Sequence, residues 1–383
     1  MSTQTNKNTA TKRTFWTVAI FYMLIAFEFF YMASPFAIYF YSAYGPGLNI
    51  VNDYTSLAWL STVFLPHIVV DTSSVLVNLR NAIGASLAVI GLLAFCVGAS
   101  QVYYYKLARK GAVTGGIYNY IRHPQYLSLM ISSFGLLLLW PRYLVLLSSI
   151  VMLFAYYFLA KVEENECEEK FGQTYIKYKN KTNMFLPFRV PLMDRLPSLP
   201  RSGLKKYLAI LSLYVVTSVI AIVLANGIRN WSLDNLYAFY SKNAAYISVV
   251  EMDEDMLKKT VNIALATPEI LAQLEAEQKG AGTKFINYVV PTEWYIPEIP
   301  MNPIEGTGDH HSPTNYDKNL YKIIFTKAKL RSDQEVEGRE LLLNTAQTES
   351  VVEVWIDLSK KSLISIKNPP TTIMYENIPV PLF

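Results

Sequence analysis

The stretch 125–161, QYLSLMISSFGLLLLWPRYLVLLSSIVMLFAYYFLAK, is a single apolar block broken only at Trp140-Pro141-Arg142. A helix crosses the hydrocarbon of a bilayer in about 20 residues, so the block has room for two short passes. Pro141 cannot continue a helix that runs into it, and Arg142 belongs at a polar boundary. The block therefore reads as a helical hairpin that returns the chain to the side it left.

Working outward, three further runs are long and apolar enough to span: 15–41, 82–105 and 207–226. Residues 57–79 are only moderately apolar and hold Pro66, His67 and Asp71. Basic residues mark cytoplasmic ends. With 57–79 not crossing, Lys7, Lys12 and Arg13, the cluster Lys106–Arg122, Lys170–Lys181 and Arg201–Lys206 all fall on one side. That count gives five spans, a cytoplasmic N-terminus and an exoplasmic C-terminal region. The polar tail 1–14 precedes a run without an early small-residue cleavage site, which reads as a retained anchor.

Composition supports two solvents for two domains. Charged residues are 17% of the 383, against about a quarter in soluble proteins. Residues 1–226 carry 19 Lys+Arg and 9 Asp+Glu, a net of +10, whereas 227–383 carry 15 and 21, a net of −6. The basic residues of the first part cluster beside apolar runs, so nucleic acid is not the expected partner. Cys96 and Cys167 cannot build a disulfide framework or a zinc site. The expected fold is an α-helical integral membrane domain, 15–226, followed by a soluble α+β domain, 227–383.

Within 227–383, Thr267-Pro268-Glu269 has the form of a helix N-terminus, with Gly280 as its stop. Residues 320–330 and 351–366 alternate apolar and polar, the second with a turn at Ser359-Lys360-Lys361. Between them, 291–315 reads as a loop. His310-His311 lies in that loop without partners at metal spacing, and no metal is expected.

The chemistry concentrates around the hairpin. Arg122-His123-Pro124 precedes its first arm, with Pro124 suited to the first helical position and His123 to the cap. Tyr118, Tyr120 and Tyr126 crowd this point, and Glu163-Glu164 ends the second arm. Because a hairpin returns, the glutamates and the His-Pro turn should face each other. Aromatic faces and carboxylates suit a cationic cofactor such as a sulfonium, and carboxylates also bind amines and ribose hydroxyls. The bland readings are an interfacial helix cap for Arg122-His123, an aromatic belt for Tyr118 and Tyr120, and a solvated charged run for the glutamates. His67 and Asp71, at i, i+4 spacing, read as a structural polar pair.

The ordered set Gly116, Tyr118, Arg122-His123-Pro124-Gln125-Tyr126, Glu163-Glu164, Phe171-Gly172-Gln173-Thr174-Tyr175-Ile176-Lys177-Tyr178 and Pro187 resembles a known pattern. It is similar to the C-terminal core of the isoprenylcysteine carboxyl methyltransferase and phospholipid methyltransferase group. The resemblance implies S-adenosylmethionine held by His123, Tyr126 and Glu164 with Tyr118 beside them, and Arg122 near the acceptor's polar head. It implies a lipidic or prenylated acceptor, with Glu163 or His123 assisting where an ammonium must first lose a proton. Ser128 and Cys167 stand where members often have Gly and Leu. One rival is a sterol-reductase-like NADPH oxidoreductase. Cys167, Lys170, Phe171-Gly172 and Tyr178 fit it, but Val162 stands where an Arg is expected. A second rival is a non-catalytic membrane subunit whose 227–383 region binds a protein partner.

Overall fold

The computed structural model describes residues 49–188 except 55, then 203–278, 282–304, 310–331 and 335–371, with scattered positions outside these ranges. The expected tail 1–14, nearly all of the expected span 15–41, and Gly280 lie outside the described residues. The chain divides into two compact units. One contains residues 80–223, and the other joins the described part of 31–79 to 224–383.

In the first unit, helix α1 (Val75–Leu107) carries the run 82–105 and extends beyond it at both ends. Helix α2 (Pro124–Leu139) and helix α3 (Tyr143–Phe171) form the hairpin, separated by the expected Trp140-Pro141-Arg142 break. Helix α4 (Gln173–Lys181) follows directly, and α5 (Leu204–Asp234) encloses the run 207–226. Three described helices are long and apolar enough to cross a bilayer: 75–105, 143–171 and 204–234. Helix α2, with 16 residues, is roughly 24 Å long at 1.5 Å per residue. The five expected spans are therefore matched by three long apolar helices and one shorter apolar helix among the described residues. Residues 57–79 contain one 3-10 turn, Ala58–Ser61, and no helix before Val75. The i, i+4 relation expected for His67 and Asp71 is thus not formed. The amide of Asp71 instead donates to the Val249 carbonyl at 3.2 Å.

Small residues let α1 and α2 touch at the backbone. A Cβ on Gly91 would lie 2.5 Å from the Ser132 nitrogen and 2.6 Å from the Ser128 carbonyl oxygen. Beside this contact, the Ser132 hydroxyl donates to the Ala88 carbonyl at 3.0 Å. Without a hydrophobic drive between helices in lipid, such close packing and interhelical bonds hold them together. Arg142, at the hairpin tip, is fully buried, with its guanidinium 5.0 Å from the Trp140 ring centre. Replacing Gly91 with Leu should separate α1 from α2 and lower the detergent-solubilised yield and melting temperature. Thermal unfolding of the purified full chain measures this.

The second unit is a six-stranded sheet in the order β1 (Ala238–Tyr240), β2 (Ala244–Ser248), β3 (Phe285–Pro291), β4 (Leu320–Leu330), β5 (Thr345–Asp357), β6 (Ser362–Lys367). Only β2 and β3 run parallel. Parallel neighbours need a long crossover, and α6 (Glu254–Leu265) and α7 (Pro268–Glu277) supply it. The Asp253 carboxylate accepts from the Met256 amide at 2.7 Å and caps α6. Pro268 stands in the first turn of α7 as expected, though Thr267 makes no side-chain cap bond. Helix α8 (Glu340–Asn344) leads into β5, and the β5–β6 turn falls at the expected Ser359-Lys360-Lys361. One face of the sheet buries Ile323, Phe325, Val352, Val354 and Ile356 completely. The expected loop 291–315 is irregular but packed, with Trp294, Tyr295, Ile296, Ile299 and Met301 buried. His310 lies 2.8 Å from Glu298, a buried carboxylate, rather than free in solvent.

Beneath the sheet's other face lies Lys322, fully buried, its ammonium without a hydrogen-bond partner among the described residues and 5.6 Å from the Trp355 ring centre. Burial pushes its pKa down to about 8, partly opposed by Glu353. Between pH 8 and the ordinary lysine value of about 10.4, the unfolded chain holds more protons than the folded one, so stability rises with pH across that window. Lys322→Met should therefore stabilise the protein by about 1–3 kcal/mol at pH 7. The gain should shrink as pH approaches 10, and melting curves of both proteins across pH 7–10 test it.

Candidate cofactor and acceptor pocket

Four separate backbone features bring the site together. Pro124 starts α2 with His123 as its N-terminal flank, and the His123 side chain makes no cap bond, leaving the ring for other partners. The amides of Arg122 and His123 donate to the carbonyls of Asn183 and Met184 at 2.9 and 3.0 Å. This short bridge ties the motif to the segment after α4. Gly172 turns the chain between α3 and α4 with φ 54° and ψ −134°, a region open essentially to glycine alone. The Tyr178 hydroxyl donates to the Tyr118 carbonyl at 2.6 Å, fixing the 3-10 turn Gly116–Asn119 against α4.

The centre is Glu164, fully buried near the end of α3. The Arg122 Nε donates to its Oε1 at 2.6 Å, and the Lys179 Nζ lies 3.1 Å from its Oε2. The remaining Arg122 contacts run to the carbonyls of Lys179, at 2.9 Å, and Thr182. Lys179 also pairs with Glu168. A buried carboxylate is tolerable only when paired and hydrogen-bonded, and Arg122, Lys179, Lys161 at 3.9 Å and the His123 ring at 3.5 Å surround this one.

Glu163, one residue earlier, is partly exposed; it accepts from the Tyr126 hydroxyl and lies 3.5 Å from the His123 Nδ1. The rings of His123, Tyr126 and Tyr156 form a stack, at 5.5 and 5.4 Å between successive centres. Burial alone would favour the neutral His123 ring, but Glu163 and Glu164 outweigh it and raise its pKa above the ordinary value. Lys179 is likewise held charged: its burial is overcome by Glu168 and Glu164, and its pKa is raised. Burial pushes the Tyr178 phenol up to about 12, so it stays a donor.

These groups border a cavity of about 720 Å³, within the range of small-molecule sites. Its walls include Tyr118, Arg122, His123 and Glu163 from the sequence-derived set. Tyr126 and Glu164 do not line it; they lie behind, bonded to Glu163 and to Arg122 respectively. All six residues are thus brought together, four on the wall and two behind it. Tyr105, Tyr175, Tyr178, Arg109 and Lys170 also line the cavity. The tyrosines of the FGxxYxxY run signalled two of these, whereas Lys179 has no local sequence signal because its partner Glu164 is fifteen residues away.

The charge layout predicts unequal responses from the adjacent glutamates. Glu164→Gln leaves Arg122 and Lys179 without their buried counter-charge and should destabilise the fold by about 3 kcal/mol. Glu163→Gln, at a partly exposed position, should change stability by about 1 kcal/mol or less. Melting temperatures of the two variants in one detergent distinguish them.

Residues 81–174 match the sequence profile of the phospholipid methyltransferase family. No curated protein and no solved structure matches the chain significantly. The matched segment covers about a quarter of the chain, from within α1 to the first residues of α4, and contains all six sequence-derived site residues. Together with the three long apolar helices, it makes this a membrane protein with a segment of methyltransferase type.

Proposed function

We propose that the chain transfers a methyl group from S-adenosylmethionine to an acceptor lodged in the membrane, either a lipid amine or a prenylated carboxylate. The observation that carries this reading is the cavity walled by Tyr118, His123 and Glu163 and backed by the Arg122–Glu164–Lys179 ion cluster. The residues fit such a cofactor. Tyr105, Tyr118, Phe171, Tyr175 and Tyr178 offer ring faces to a sulfonium or a purine, and Glu163 offers an acceptor for an amine or a ribose hydroxyl.

S-adenosylmethionine supplies an activated methyl on a positive sulfur. The protein's own work is then chiefly positioning and electrostatics. Glu163 and the rings favour a positive ligand at the inner wall. Glu164 is a positioning residue that fixes Arg122 and His123, and Tyr126 orients Glu163 by donating to it. For an amine acceptor, Glu163 takes the ammonium proton before transfer; a carboxylate acceptor needs no base. Arg122 lines the cavity but commits donors to Glu164 and two carbonyls, which supports a role in shaping the acceptor's binding wall.

The same reading assigns 1–14 to a polar tail, 15–226 to the membrane domain and 227–383 to a soluble α+β domain facing the exoplasm, with the pocket cytoplasmic. The basic clusters Lys106–Arg122 and Lys170–Lys181 support that orientation. The acidic balance of 227–383 suits a protein partner outside the methyl-transfer core.

Membranes containing the protein, incubated with methyl-labelled S-adenosylmethionine, should incorporate label into either a lipid amine or a base-labile ester. His123→Ala should reduce incorporation by at least a hundredfold. Absence of label, with no binding of S-adenosylhomocysteine by the purified protein, would refute the reading.

A further inference from the structure

The outer wall of the cavity carries charge that the inner ion cluster does not use. Glu163, Glu166, Cys167 and Lys170 line it at positions i, i+3, i+4 and i+7 of α3, so one helix face forms a wall running from an acid to a cation. At 1.5 Å per residue the two ends are roughly 10 Å apart along the axis. Arg109 lines the same cavity just beyond the end of α1. Its φ is 51°, a left-handed backbone that a residue with a Cβ adopts at a cost.

The cations around the site fall into two groups. Arg122, Lys161 and Lys179 all reach Glu164, and Lys110 donates to the Tyr104 hydroxyl. Arg109 and Lys170 form no ion pair among the described residues; Lys170 rests only against the Phe171 ring at 5.3 Å. Glu166 lines the same cavity four residues before Lys170, while Glu163 is engaged by Tyr126 and His123. With Glu163 set against His123, Arg109 and Lys170 are opposed on this wall by Glu166 alone.

We propose that Arg109 and Lys170 form an oxyanion subsite in this cavity, binding a carboxylate or phosphate on a reactant whose other end meets the His123–Glu163 wall. The proposal rests on the methyl-transfer reading. The oxyanion has two sources there: the α-carboxylate of the methyl donor, or the phosphate of a lipid acceptor. An arginine fork and a lysine ammonium are the donors that recognise such groups. Both side chains are exposed to the cavity and to solvent, so neutralising them leaves the buried packing intact.

The test uses the full chain in detergent, as wild type and as Arg109→Gln/Lys170→Gln. Calorimetry gives the affinities for S-adenosylhomocysteine and for methylthioadenosine, which lacks the carboxylate. Native mass spectrometry gives the retention of phosphatidylethanolamine relative to diacylglycerol of the same chains. A loss of at least tenfold for S-adenosylhomocysteine, with methylthioadenosine unchanged, assigns the subsite to the donor. A matching loss of phosphatidylethanolamine selectivity, with both nucleosides unchanged, assigns it to the acceptor. In either case Arg109→Lys/Lys170→Arg should restore binding. Glu166→Gln should tighten binding about two- to fivefold, a gain that loss of a merely structural contact would not produce. Unaltered donor affinity and lipid selectivity in the double Gln variant overturn the subsite alone. Failure of the wild type to bind S-adenosylhomocysteine overturns the methyl-transfer reading, and the subsite with it.

Discussion

Everything in the membrane unit's site is arranged around one buried negative charge, the Glu164 carboxylate. Left alone in an apolar surround it would cost several kcal/mol, so the fold must deliver cations to it from elsewhere in the chain. Arg122 arrives from just before α2 and Lys179 from α4. Meeting that demand fixes the hairpin's closure, the turn at Gly172 and the bridge between residues 121–123 and 183–184. The same demand sets the chemistry in front of it. With Glu164 surrounded by permanent cations, His123 and the partly exposed Glu163 are left on the cavity wall in front of it.

The hairpin and its chemistry were legible because each rests on a local rule. Pro141 ends a helix, Pro124 begins one, and a returning chain brings its ends together, so His123 and Glu163 could be paired from sequence. The layering was not legible. Adjacent glutamates look alike in sequence, yet a 100° step along α3 buries Glu164 and leaves Glu163 on the cavity wall. The burial of Arg142 was hidden for a related reason: a basic residue at a hairpin tip gives no sign in sequence that the Trp140 ring beside it shelters the guanidinium. In the sheet unit, strand alternation gave β4 to the residue and the β5–β6 turn correctly. It could not show that the segment 57–79 contributes Ile68 and Val69 to that unit's core, because only tertiary contact makes them buried.

The segment related to phospholipid methyltransferases stops at residue 174, yet the groups completing the site continue past it. Tyr178, Lys179, Thr182, Asn183 and Met184 each bond to the motif around Tyr118–His123 or to Glu164. A graft of the matched stretch alone would carry a buried acid short of one partner and a histidine turn without its backbone anchor. The bonded cluster extends to Met184.

The sheet unit is discontinuous along the chain. The amides of Val70 and Ser73 donate to the carbonyls of Val249 and Asn235, and that of His67 to the carbonyl of Leu382. The chain thus leaves one compact body and rejoins it about 145 residues later. An excursion through a bilayer that begins and ends on one side must cross it an even number of times. Between those two points lie three helices long and apolar enough to cross a bilayer and the shorter apolar helix Pro124–Leu139, so an even count of passages would need that short helix as well.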